Sequence, residues 1–313
     1  MSLTTARPLF AAVDIGGTKI AGALVDGEGR LRHRLRLPTP AKAPGGEVLA
    51  VVHRVLDHLA ATADWAAVAA VGIGSAGPVD LVAGAVSPVN IPGWRGFPLV
   101  AEASAHPAVA ARALPVQLAG DGVAMAAAEH WQGAARGAAN ALCLVVSTGV
   151  GAGLVLDGAV RPGPSGNAGH LGHITVDLDG DPCPCGSRGC LEGIASGTAI
   201  ARRALAAGWI PTGEDRTARA VATAAEAGDP IALATFDRAA QALAAGIAAT
   251  AALVDLDRVV VGGGVATAGA TLFTPLTHHL RTYAALPYLA GLHVRRAELG
   301  TDAGLIGAAA LCR

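Results

Sequence analysis

Two stretches of this 313-residue chain repeat one plan: an apolar run, a glycine-rich turn, and a second apolar run closed by Asp-Gly. In the first, residues 9–15 (LFAAVDI) lead through Gly16, Gly17, Thr18 and Lys19 into residues 20–25 and Asp26-Gly27. In the second, residues 141–146 lead through Ser147-Thr148-Gly149-Val150-Gly151 into residues 153–156 and Asp157-Gly158. Each reads as a β-hairpin whose turn is unusually rich in glycine. The copies lie roughly a hundred-odd residues apart, the size of one domain. A duplicated strand–glycine turn–strand predicts two similar halves facing one another. A nucleotide phosphate chain could then lie between two sets of backbone N–H groups.

The intervening sequence alternates strand-like and helix-like segments. Residues 47–61 carry Val48, Val51, Val52, Val55, Leu56 and Leu59 at helical spacing. Residues 68–73, 116–119 and 258–261 read as strands, and 121–131, 239–254 and 303–311 as helices. Residues 208–229 are polar and read as irregular surface. Alternation of this kind favours a layered α/β architecture. A composition of 52% hydrophobic and 15% charged residues supports a large core and excludes wholesale disorder. The length fits two domains or one large α/β unit.

Several classes of function are disfavoured. The net charge of −1 leaves no basic stripe for a nucleic-acid backbone, and 3% aromatics give no stacking platform. The uncharged stretch 137–157 holds Gly149, Gly151 and Gly153 at its centre, which suits strand–turn–strand rather than a membrane helix. No signal peptide is visible over Met1–Leu9. Of the five cysteines, Cys183, Cys185 and Cys190 sit together, which points to a metal in a reducing compartment rather than a disulfide scaffold. The expectation is a soluble, cytoplasmic protein that spans no membrane.

Four constellations carry chemistry. In Asp14-Ile-Gly16-Gly17-Thr18-Lys19 the glycines let phosphate oxygens reach the main chain, while Thr18 and Lys19 add a hydroxyl and a charge. The spacing is not that of a Walker loop, and a strand rather than a helix follows, unlike a Rossmann turn. The second turn (Thr148, Gly149, Gly151) supplies a matching phosphate loop for the other half, and Gly262-Gly263-Gly264 is a third close-approach turn that could sit under an adenosine. His173 with Cys183, Cys185 and Cys190 makes a closed tetrahedral zinc site of the structural type; the alternative is three unliganded buried thiols. Asp121 follows a strand and opens a helix, where it can cap that helix or act as a general base towards a hydroxyl.

Taken together and in order, these motifs resemble the ROK family of sugar kinases and repressors. The matching pieces span essentially the whole chain: Asp14–Lys19, Asn90-Ile-Pro-Gly-Trp94, Asp121 to Glu129, Ser147–Gly151 and Gly166–His173. Cys183–Glu192, Gly262–Gly264 and Asp302–Gly307 complete the set. The resemblance implies an actin-like (ribonuclease H-like) α/β fold of two domains around a cleft, with the last helix returning to the first domain. The domains expected are 1–120 plus 293–313, and 121–292. It implies that Asp121 takes the proton of a sugar 6-hydroxyl as that oxygen attacks the γ-phosphate of ATP. Asp14 would help position Mg²⁺. Gly16, Gly17, Thr18, Lys19, Thr148, Gly149, Gly151, Gly263 and Gly264 would hold the nucleotide. Asn90, Gly77, His170, His173 and Glu192 would hold the sugar. The Zn²⁺ is structural on this reading, although His173 touches both metal and sugar. Relatives imply a homodimer or homotetramer.

Two positions depart from the family's usual pattern. His170-Leu-Gly-His173 stands where Glu-x-Gly-His is usual, exchanging an acceptor-only group for one that can also donate. Gly120-Asp121 stands where Asn-Asp is usual. The His-x-Gly-His form resembles bacterial N-acetylmannosamine kinases, which favours that substrate over glucose; a glucokinase is the alternative. A repressor is disfavoured because Asp14 leaves no preceding room for a DNA-binding module. A non-catalytic sugar-binding regulator is the alternative of another class.

Overall fold

The computed structural model describes residues 8–313. The reading of Met1–Leu9 for a leader falls, over Met1–Arg7, outside the described residues. The strands are β1 (Leu9–Ile15), β2 (Lys19–Val25), β3 (Leu31–Pro38), β4 (Val68–Ser75), β5 (Val79–Asp80) and β6 (Ala85–Val86). They continue with β7 (Val116–Gly120), β8 (Ala141–Val146), β9 (Val150–Leu156), β10 (Ala159–Val160), β11 (Arg258–Gly262) and β12 (His293–Arg296). The helices are α1 (Gly45–Ala60), α2 (Leu99–Ser104), α3 (Pro107–Ala110), α4 (Asp121–Gln132) and α5 (Glu192–Ala195). They end with α6 (Gly197–Ala206), α7 (Ala218–Glu226), α8 (Pro230–Val254), α9 (Ala270–Tyr283) and α10 (Ala303–Ala310).

Contacts divide the chain into two compact units. The first is the chain up to Gly133 with Arg161–Ala168 and Thr301–Arg313; the second is Ala134–Val160 with Gly169–Gly300. This differs from a boundary at 120/121, because α4 packs on α10 and so stays with the first unit. It also differs from one that begins the returning segment at residue 293, because β12 pairs with β11 in the second unit.

Each unit is built on a five-stranded sheet. In the first the order is β3-β2-β1-β4-β7, with β1, β2 and β3 antiparallel and β4 and β7 joined in parallel. In the second the order is β10-β9-β8-β11-β12, with the same alternation of directions. The duplication legible at the two glycine turns thus extends to whole sheets. The uncharged stretch 137–157 is the β8–β9 hairpin, and no helix among the described residues is long and apolar enough to cross a membrane.

Period-two alternation in β1 separates two faces. Leu9, Ala11, Val13 and Ile15 join the core beneath α1, whose six apolar residues fall on one stripe and are all buried. Phe10 and Ala12 join Leu305, Ala308 and Ala309 of α10 on the opposite face. That places Asp14 on the α10 side. The close approach of α10 requires small residues: a Cβ at Gly72 of β4 would run into the Ala308 carbonyl, and one at Gly307 into that of Ala124 in α4. In the second unit, α8 contributes Ala239, Ala240, Leu243 and Ile247 to the core, packed against α9.

Two local expectations are corrected. Residues 208–229 are not all irregular: α7 forms there and buries Val221, Ala222 and Ala225. Asp121 is not the cap of α4. Gly120 holds the N-cap position, and Asp121 follows it with Oδ1 accepting the Gly122 N–H at 2.7 Å.

The packing at Gly72 yields a direct test. Because the obstructing atoms belong to the backbone of α10, Gly72→Ala is expected to destabilise the protein by about 1–3 kcal/mol, the range for overpacking. Denaturant unfolding measures it; an unchanged midpoint would contradict the packing described.

Candidate active site and metal centre

In the first unit, β1 and β2 are joined by a tight turn closed by the Gly16 N–H donating to the Lys19 carbonyl at 2.9 Å. Thr39 fastens it from β3's end, its hydroxyl donating to the Gly16 carbonyl at 2.7 Å. The loop Asn90–Trp94 lies on this turn. Ile91 and Trp94 are its buried anchors, with Trp94 stacked on Phe97 and its Nε1 donating to the Gly45 carbonyl. Asn90 is exposed, and its amide occupies the space a Cβ on Gly17 would need. Gly77 follows β4, where the Ala76 N–H donates to the Ile15 carbonyl and ties this segment to the end of β1.

Asp14 is held close to Asp121. Burial raises the Asp14 carboxyl above the usual carboxylate range, and the Asp121 charge raises it further; Lys19 and Arg36 pull the other way. The register aligns Asp14 with Ala21 and Ala21 with Arg36, so Arg36 shares a sheet face with Asp14 across a small residue. From the other side comes α10. A Cβ on Gly304 would lie 2.5 Å from Asp14 Cγ, so only glycine fits there. Asp121 itself is exposed at the carboxyl end of β7, beside the carboxyl ends of β1 and β4. This is the edge at which parallel strands present ligand-binding groups.

In the second unit, β8 and β9 are joined through Ser147–Gly149, with the Ser147 N–H donating to the Gly149 carbonyl at 2.8 Å. Glu192 Oε2 accepts the Val150 N–H at 2.8 Å and fills the space that a Cβ on Gly149 would take. Gly263 has φ +89°, and a Cβ there would strike the Val146 carbonyl, which fixes its identity as glycine. A cavity of about 610 Å³ opens beside this turn, its lining including Ser147, Thr148, Thr198, Arg216, Gly264 and Thr267. The volume suits a nucleotide-sized ligand. His170 and His173 meet edge to face at 4.9 Å. Burial and then His173 lower the His170 imidazole, with Glu192 opposing.

The four expected metal ligands converge in the same unit. His173 Nδ1 lies 3.8 Å from Cys183 Sγ, Cys185 Sγ lies 3.7 Å from Cys190 Sγ, and all four ligand atoms fall within 4.8 Å of one another. Tetrahedral Zn–S bonds place sulfurs about 3.8 Å apart, and the Cys185–Cys190 spacing of 3.7 Å matches that geometry. Gly186 and Gly189, both at positive φ, turn the hairpin that brings the sulfurs round. Burial, then Cys183 and Cys185, push the Cys190 thiol up to about 12, so without a cation this sulfur stays protonated. Cys185 is lowered, first by the Ser187 N–H.

The sequence-predicted residues therefore gather within each unit: Asp14, Gly17, Lys19, Asn90 and Asp121 in the first; Thr148, Gly149, Glu192, His170 and the metal set in the second. Three residues were not singled out as site residues. Gly304 and Asn167 lie inside family-like stretches, and Thr198 carries no local signal at all. Asn167 holds β5 from both sides, accepting the Val79 N–H at 3.1 Å and donating to the Val79 carbonyl at 2.8 Å.

Comparison with known proteins agrees with this geometry. The ROK family model matches residues 10–313. The chain is 37% identical to a glucokinase of Halalkalibacterium halodurans over 318 residues, covering 95% of this chain and 93% of that protein. It is 38% identical to an N-acetylmannosamine kinase of Citrobacter koseri over 302 residues, covering 96% and 98%. The crystal structure of a ROK family glucokinase from Streptomyces griseus in complex with glucose and AMPPNP matches with a TM-score of 0.81 and 34% identity, covering 97% of this chain and 98% of that one. The chain belongs to the ROK family; it is a sugar kinase with the family's actin-like fold.

Two predictions follow from the site. The raised Asp14 carboxyl means that its charge is less favourable in the folded state than in the unfolded chain. The resulting penalty is full above the folded pKa and vanishes as pH falls below the unfolded value of 3.8. Metal-free Asp14→Asn should therefore melt above wild type at pH 7, with the gap closing towards pH 4; a gap independent of pH would contradict this. For the cysteine cluster, elemental analysis of reduced protein should find about one zinc per chain, released on unfolding. Cys190→Ser should lose the metal. Fully reduced protein that is metal-free and equally stable would exclude the four-ligand site.

Proposed function

We propose that this ROK kinase transfers the γ-phosphoryl group of ATP to the 6-hydroxyl of a hexose or N-acetylhexosamine, with N-acetylmannosamine favoured. The observation that carries this reading is the pair of neighbouring carboxylates, Asp14 and Asp121, at the carboxyl ends of parallel strands. Their environments differ: Asp121 is exposed, while burial raises Asp14. The exposed group suits proton acceptance from a sugar hydroxyl. The half-buried one suits a cation, since a bound cation would relieve the charge that burial penalises.

The residues then divide the work. Asp121 takes the 6-hydroxyl proton as that oxygen attacks phosphorus, and the bond from the γ-phosphorus to the bridging oxygen of ADP breaks. Asp14 would hold Mg²⁺, which would supply neutralisation of phosphate charge. The turns at Gly16–Lys19 and Thr148–Gly151 offer backbone N–H groups to the phosphate oxygens, where charge spreads in the transition state. Gly263 and Gly264 lie beside the adenosine end of the cavity. Asn90, Gly77, His170, His173 and Glu192 hold sugar hydroxyls. The imidazole of His170 can donate a hydrogen bond, which suits an N-acyl carbonyl better than an acceptor-only carboxylate would. His173, Cys183, Cys185 and Cys190 would hold Zn²⁺, which would supply structural stability rather than chemistry.

A coupled ADP-release assay with Mg-ATP against glucose, mannose, fructose, N-acetylglucosamine and N-acetylmannosamine tests the reading. The expected result is preference for N-acetylmannosamine, with Asp121→Asn lowering kcat by about 10²–10⁴ while sugar binding persists. Preference for glucose would assign a glucokinase instead. Absence of any sugar-dependent ADP release that Asp121→Asn abolishes would leave a non-catalytic sugar-binding protein.

A further inference from the structure

We propose that Thr198 is a positioning residue for the second glycine turn, and that the segment Glu192–Thr198 makes sugar and nucleotide binding cooperative. The proposal rests on the reading above that Glu192 holds the sugar and that the turn at Thr148–Gly151 holds phosphate.

Three hydrogen bonds tie this one segment to the turn. The Val150 N–H donates to Glu192 Oε2 at 2.8 Å. The Gly197 N–H donates to the Ser147 carbonyl at 2.7 Å. The Thr198 hydroxyl donates to the Thr148 carbonyl at 2.9 Å. Gly149, the remaining residue, lies directly beneath the Glu192 carboxylate. Every residue from Ser147 to Val150 is therefore held by a partner drawn from seven consecutive residues.

The segment is itself rigid. Ser196 caps α6, its hydroxyl oxygen accepting the Ala199 N–H at 3.1 Å. Arg202 and Arg203 of α6 reach back and donate to the Gly193 carbonyl at 3.0 and 3.3 Å. Movement at Glu192 is thereby conveyed to the turn rather than absorbed within the segment.

The carboxylate of Glu192 has two oxygens with different duties. Oε2 is committed to Val150, whereas Oε1 makes no hydrogen bond among the described residues. A sugar hydroxyl donating to Oε1 fixes the carboxylate rotamer and with it the Val150 N–H. The nucleotide then meets a turn that is already ordered and loses less conformational freedom on binding, which is positive coupling between two ligands. Thr198 extends this order to Thr148, which lines the nucleotide cavity together with Thr198 itself. Removing its hydroxyl leaves the Thr148 carbonyl unheld, so that fixing Glu192 orders only half of the turn.

The test measures the affinity of Mg-AMPPNP by calorimetry, with and without the better substrate of glucose and N-acetylmannosamine, on zinc-loaded protein. In wild type the sugar is expected to tighten nucleotide binding by about fivefold or more, and the nucleotide to tighten sugar binding by the same factor. Thr198→Val should reduce that factor below about twofold, raise the KM for ATP, and leave sugar affinity in the absence of nucleotide unchanged. Thr198→Ser, which keeps the hydroxyl, should restore the coupling; an equal melting temperature and zinc content confirm that both variants fold. Wild-type coupling in Thr198→Val, or no coupling in an active wild-type enzyme, would overturn the proposal. Unaltered sugar affinity in Glu192→Ala would instead remove the sugar-binding role of Glu192, a separate failure.

Discussion

In each half of the molecule a glycine of the turn is covered by the side chain of a residue assigned to sugar. The Asn90 amide occupies the space over Gly17, and the Glu192 carboxylate occupies the space over Gly149. In both places a Cβ would collide with a polar group arriving from a distant part of the sequence. The glycines are thus required from two directions. They seat the Asn90 and Glu192 side chains on one side and, on the proposed reading, would let ligand oxygens approach the main chain on the other. Both side chains stand beside anchored backbone: Ile91 and Trp94 are buried next to Asn90, and Arg202 and Arg203 donate to the Gly193 carbonyl next to Glu192.

Asp14 shows the same logic in electrostatic form. It stands on the α10 face of its sheet, in space that remains only because residue 304 lacks a side chain. That space exists because Gly72 and Gly307 allow α10 to approach β4 and α4 closely. A carboxylate in such a place is unfavourable by itself, and Lys19 and Arg36 only partly offset the burial. Stability is thus lost at a carboxylate whose charge would be used by the cation proposed for it.

Much of this was legible in the amino-acid order because the signals are local. A strand, a turn and a strand announce themselves within about twenty residues, and so do three cysteines spaced by glycines. The six-residue stripe of α1 and its burial agree for the same reason. What escaped the sequence depends on partners far away in the chain. Alternating small and polar residues concealed α7, whose Val221 and Ala225 become a buried face only against α8. Asp121 reads as the start of a new domain until α10 is seen packed along α4. Asn167 and Thr198 are unremarkable polar residues whose importance lies in main-chain groups 88 and 50 positions away. Gly304 differs from other helix glycines only through the carboxylate it faces.

Position 120 completes the argument by contrast. Its backbone, at φ −67° and ψ 155°, is ordinary extended chain that any residue adopts. A Cβ there would meet nothing nearer than Val79 Cγ1 at 3.9 Å. Neither conformation nor packing demands glycine at this point, unlike positions 17, 149, 263 and 304. The consequence is open volume directly beside Asp121, next to a wall of β5 that Asn167 holds in place. On the proposed reading, that space would admit a bulkier or differently oriented sugar beside the general base.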